Sequence, residues 1–138
     1  MINKQKILLS VILALILISL SACGGEKETT RIVEHEIINK NSHPTANAIR
    51  YSLDVLVKEE ATEEELKALA EKIVEDLKKE EDFNAVSIGF YDNEEDIGYG
   101  YTLGSIDYAP YGDWGRASEV GAGNYSKSEY SYRLNVGK

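Results

Sequence analysis

The chain has 138 residues, 24 acids against 15 lysines and arginines, and a formal charge of −9. An acidic excess of this size excludes a nucleic-acid partner, which needs clustered lysine and arginine to neutralise phosphates. The single cysteine, Cys23, excludes a disulfide within the chain.

Lys4 and Lys6 precede a run of 14 residues, Ile7 to Leu20, that is apolar except for Ser10 and Ser19. A basic start followed by a short apolar stretch reads as the n-region and h-region of a signal peptide. A membrane-spanning helix needs about 20 apolar residues, so this run is too short for one. It closes on Leu20-Ser21-Ala22-Cys23, followed by Gly24 and Gly25. In that order the segment resembles the bacterial lipobox. The resemblance implies a signal peptide at residues 1–22, cleavage before Cys23, and a diacylglyceryl group on its sulfur. The mature protein is then a lipoprotein held on the extracytoplasmic face of the cell membrane. Two acyl chains anchor a protein stably where one does so only marginally. Loss of residues 1–22, which hold two lysines and no acid, takes the formal charge to −11. Charge therefore gives no attraction to anionic head groups, and the lipid does the membrane binding.

Residues 23–49 read as the lipidated cysteine and a flexible tether, with Gly-Gly, scattered charges and Asn39-Lys40-Asn41-Ser42-His43-Pro44. The apolar group Ile32, Val33, Ile37 and Ile38 suffices for at most a short strand or one helical turn. The 26 residues after Cys23 reach about 90 Å when stretched and about 30 Å as a coil.

From residue 50 to 138 the pattern is that of a small domain. Tyr51, Leu53, Val55 and Val57 alternate with Ser52, Asp54 and Leu56, predicting a strand. Leu66, Leu69, Ala70, Ile73, Val74 and Leu77 form one apolar stripe, predicting a helix over 63–80. Thr62 and Glu65 fit a capping box at its start. A second strand is predicted over 85–91, a third at about 99–108 after an acidic five-residue turn, and a fourth over 128–136. The fold class is therefore α+β, with order β-α-β-β-β and one amphipathic helix packed on a mixed four-stranded sheet. The helical crossover sets the first two of these strands parallel. With only one helix, the other sheet face is half-solvated.

Nine tyrosines and one tryptophan against two phenylalanines mark the chain, and most lie in its last forty residues. Tyr108, Tyr111, Trp114 and Tyr125 are the candidate ligand-contact residues, because exposed rings beside Asp and Asn stack on sugars or anchor a protein interface. The acids Asp92, Glu94 and Asp96 do not match a calcium loop, which needs glycine and glutamate where Ile97 and Leu103 stand. His35 and His43 fall in the tether, and Cys23 is acylated, so no catalytic and no metal-ligating residues are assigned and no cofactor is expected. Asp107 and Asp113 read as a carboxylate pair of the glycosidase type, a weak signal in a chain this rich in acids.

Ile106-Asp107-Tyr108-Ala109-Pro110-Tyr111-Gly112-Asp113-Trp114, then Gly123-Asn124-Tyr125-Ser126-Lys127, is the least generic stretch. Together with Ala61-Thr62-Glu63-Glu64-Glu65-Leu66 it resembles an uncharacterised domain of small Gram-positive lipoproteins, over roughly residues 49–136. The resemblance implies the α+β layout and the lipid anchor, and brings no active-site residues. Pro110 is expected to stop the third strand, and Trp114 to fold back over the sheet edge. The functional expectation is a non-enzymatic protein-interaction module at the envelope. Its alternative is a binder of cell-wall carbohydrate through exposed aromatics, and a hydrolase using acidic residues is a distant third. The partners expected are the membrane, through Cys23, and an envelope protein or wall carbohydrate.

Overall fold

The structure, a computed structural model, describes residues 29–137; the signal peptide and Cys23 lie outside them. Among the described residues no helix is long and apolar enough to cross a membrane.

Helix α1 (Glu63–Glu80) forms where its local signals place it. The Thr62 hydroxyl accepts from the Glu65 backbone N–H at 3.2 Å, and the Glu65 carboxylate accepts from the Thr62 N–H at 2.8 Å. These reciprocal bonds satisfy two donors that a bare helix start leaves open. The Thr62 amide and the Arg31 guanidinium, 2.9 Å away, hold the Glu65 carboxyl below its usual range. Leu66, Leu69, Ala70, Ile73, Val74 and Leu77 are all buried, so the stripe faces the core.

Five strands, not four, form one sheet in sequence order: β1 (His35–Ser42), β2 (Arg50–Val57), β3 (Ala85–Tyr91), β4 (Gly104–Pro110) and β5 (Ser128–Leu134). β2 and β3 are parallel and joined through α1; every other neighbouring pair is antiparallel. Among the described residues the architecture is the expected α+β class, one α-helix on a mixed sheet. The added strand comes from the segment read as tether. His35-Glu36-Ile37-Ile38-Asn39-Lys40-Asn41-Ser42 carries little apolar pattern because an edge strand buries little; backbone pairing to β2 holds it instead. Val33 and Ala48 are buried on either side of it, so the fold starts near Val33 rather than at residue 50.

The third predicted strand is shifted. Gly98 and Gly100 have φ of +93° and +142°, and residues 92–103 make a 3-10 turn and a loop before β4 begins at Gly104. β4 continues through Pro110, and the reversal follows it: Tyr111 and Gly112 have φ of +57° and +69°, with Asp113 N–H donating to the Pro110 carbonyl at 3.1 Å. That is the paired positive-φ turn that hairpins favour, with a tyrosine in a conformation unusual for a side chain with a Cβ.

One sheet face packs on α1 through Leu53, Val55, Val86, Ile88, Phe90 and Ile106. Tyr108 shares the parity of Ile106 on β4, so it also faces the helix, as Tyr130 and Tyr132 do on β5. There Phe83 sits among Tyr51, Tyr108 and Tyr125 at centroid distances of 6.5, 6.4 and 5.0 Å. Lys78 extends from α1 over Tyr108 and Tyr125, its ammonium 4.5 and 4.9 Å from their rings.

Candidate functional site

The opposite face of the sheet is built from the alternate residues of the same strands. Register places Asn41, Ser52, Ser87, Asp107 and Ser131 side by side in one row across all five strands. Every side chain in that row is short and polar. The row is flanked along β3 by Ala85 on one side and Gly89 on the other, and each flank carries an aromatic ring.

At the Ala85 flank, a 3-10 helix (Trp114–Glu119) lies on the sheet, opened by Asp113, whose carboxylate accepts from Gly115 N–H at 2.7 Å. Trp114 packs there against a cluster of Ala48, Ala85, Ala109 and Ala117. Only small side chains leave room for the indole to come down on the sheet. The ring also meets His43 edge-on at 6.2 Å, and the Arg50 guanidinium 5.4 Å from its centroid. At the Gly89 flank, the ring of Tyr101 rests on the backbone: a Cβ on Gly89 would stand 2.1 Å from Tyr101 Cε1. Tyr101 in turn meets Tyr91 at 5.6 Å, and burial raises the Tyr91 hydroxyl above its usual pKa.

Between the rings lies a trough of about 750 Å³ that includes Ser52, Ser87, Asp107, His43 and Arg133 in its lining. Four residues along β3 separate its two flanks, about 13 Å at strand rise. Asp107 is 5% exposed and uses both oxygens: Oδ1 accepts from Ser87 Oγ at 2.5 Å, and Oδ2 from Arg133 at 2.6 Å. A buried carboxylate is tolerated because both sides of it are satisfied. Asp107 thereby orients the Ser87 hydroxyl, left with acceptor lone pairs, and the Arg133 guanidinium, left with further N–H donors, and both residues line the trough. His43 Nε2 lies 2.8 Å from Ser52 Oγ. A serine–histidine pair acts as a nucleophile only with an orienting partner on the second ring nitrogen and donors for an oxyanion. His43 and Ser52 both line the trough and offer it hydrogen-bonding groups. No group of three or more metal-ligating side chains occurs among the described residues.

The four rings singled out from sequence do not share a site. Trp114 lines the trough. Tyr108 is 6% exposed and Tyr125 half-buried, both packed on the helix side around Phe83 and away from the trough. Tyr111 is exposed at the turn, with the Arg116 guanidinium 3.8 Å over its ring, and is not part of the trough lining. Asp107 and Asp113 both border the trough, but Asp107 is committed to Ser87 and Arg133. Sequence pattern alone does not single out Ser52, Ser87, Tyr101 and Arg133, and it places His43 in the tether. His43 is outside any tether: its N–H donates to the Arg50 carbonyl at 2.7 Å in the turn after β1. Cys23, the proposed lipidation site, lies outside the described residues. No family model, no curated protein and no solved structure matches the chain.

Proposed function

We propose that the chain is a lipid-anchored, non-catalytic binding module on the extracytoplasmic face of the cell membrane, and that it binds carbohydrate in the trough between Trp114 and Tyr101. The observation that carries the ligand class is a short polar floor with a ring at each flank, over β3 positions Ala85 and Gly89 that are about 13 Å apart. Sugars present C–H faces that stack on aromatic rings and hydroxyls that both donate and accept. Ser52, Ser87, His43, Asp107 and Arg133 supply a mixed set of donors and acceptors for such hydroxyls. The concave shape favours this reading over a broad protein interface, whose centre is usually a packed apolar anchor. Membrane attachment through Cys23 rests on the lipobox resemblance in the sequence.

Trp114→Ala is expected to weaken retention of the detergent-solubilised full chain on purified wall polysaccharide at least tenfold. The indole is only partly buried, so its removal should cost stability no more than about 1–2 kcal/mol. Tyr99→Ala serves as the control, since that ring is 91% exposed and away from the trough. Equal retention of the Trp114 variant and the parent chain would rule the site out. For the anchor, Cys23→Ser is expected to leave an unlipidated, full-length precursor, read by intact mass; a mature-size product still carrying lipid would refute it.

A further inference from the structure

The two edges of the sheet are unlike. β1 is interrupted by a register shift between Ile37 and Asn39, a break of the kind that keeps an edge from recruiting another strand. β5 pairs with β4 without a shift over its whole length, and its outer side has no neighbour among the described residues. Tyr111 N–H donates to Lys127 O and Asn135 N–H to Leu103 O, both in the β4–β5 register. By alternation, Glu129, Ser131 and Arg133 turn their backbone groups toward β4, while Ser128, Tyr130, Tyr132 and Leu134 turn theirs outward.

The strand reads Ser128-Glu129-Tyr130-Ser131-Tyr132-Arg133-Leu134. Read backwards, it is nearly its own complement. We propose that β5 is a self-association edge whose partner is a second copy of this chain, paired antiparallel about Ser131. In that register Glu129 faces the partner's Arg133, and Arg133 faces the partner's Glu129. Tyr130 lies opposite the partner's Tyr132, and it is these two positions whose outward N–H and C=O groups exchange hydrogen bonds. Opposite charges directly across a strand pair stabilise it, and slipping the register by two residues sets like charges closer together. Glu129 takes part in no ion pair among the described residues, and Arg133 has donors beyond the one given to Asp107. On the helix side Tyr130 and Tyr132 already stack at 6.0 Å and 15°, and pairing would extend that row across the seam.

A two-fold axis of this kind stands normal to the sheet. It joins two five-stranded sheets into one and places both troughs on the same face, each bordered by an Arg133 at the seam. Both copies could then engage one polymer, so effective affinity would rise without any new contact to it.

Cysteine scanning of the full chain in detergent, under mild oxidant, tests the arrangement. Ser131→Cys puts two thiols across a non-hydrogen-bonded pair, where Cα atoms stand about 4.5 Å apart, within disulfide range. Glu129→Cys puts them about 13 Å apart, beyond it. The expected result is a disulfide dimer from Ser131→Cys at least five times the yield of Glu129→Cys, with the parent chain, holding Cys23 alone, as baseline. Adding Glu129→Lys to Ser131→Cys should lower that yield several-fold, since lysine would face the partner's Arg133. Equal yields at 131 and 129, or a yield at 131 indifferent to Glu129→Lys, would overturn the proposal.

Discussion

Replacing Phe83 by alanine is expected to lower the unfolding free energy by about 3–5 kcal/mol, the usual loss for emptying a buried aromatic site. Phe83 has no exposed surface, and three tyrosines converge on it from β2, β4 and the loop before β5. Its backbone also joins elements, since its carbonyl accepts from Gly123 N–H at 3.0 Å. Rigid rings collapse poorly into a void, so most of the cavity should persist. For a domain of this size, whose total stability falls within about 5–15 kcal/mol, such a loss leaves a marginal fold. Phe83→Leu should cost much less, about 1–2 kcal/mol, because it keeps most of the volume. Chemical denaturation of both variants reads the difference; equal, small losses would show that the ring is not central to the core.

The second large effect is expected at Gly104. Its φ is +100°, and a Cβ there would stand 2.2 Å from the Arg133 carbonyl oxygen and 2.6 Å from the Leu134 Cα. Both obstacles are backbone, so they cannot rotate aside. Gly104→Ala should therefore combine backbone strain of about 1–2 kcal/mol with an overpacking cost of about 1–3 kcal/mol. Gly98, with φ of +93° and open space around it, separates the two contributions: Gly98→Ala carries the strain without the clash. Relief of the clash requires β5 to move off β4, which would also pull Arg133 from Asp107. Equal unfolding midpoints for the two variants would show that the β4–β5 pairing accommodates a side chain at Gly104.

What could be read from sequence was what is encoded locally. The ends of α1 follow from Thr62 and Glu65, and its buried face from six residues at helical spacing. β2 and β3 declare themselves by alternation within a single stretch. β1 does not, because what fixes it is β2, eight residues later in the chain. Tyr108, a candidate contact by composition, is buried by parity: Ile106 two residues earlier already marks that side of β4 as core. The floor of the trough was half legible. Ser52 and Asp54, Ser87 and Gly89, Ser131 and Arg133 each stand out as small or polar positions alternating with core residues. Register, a non-local property, is what turns those separate pairs into one row. His43 and Tyr101 complete it from two loops whose courses depend on Trp114 seating over alanines and on the bare backbone of Gly89.

The early start of the fold shortens the leash. On the proposed lipid attachment, nine residues, Gly24 to Ile32, separate Cys23 from Val33, where the fold starts. Covalent geometry limits that span to about 32 Å, and a flexible chain of the same length averages about 16 Å. The binding face would then patrol only the layer next to the lipid head groups. Glycans still attached to the bilayer, or just leaving it, would fall within that radius.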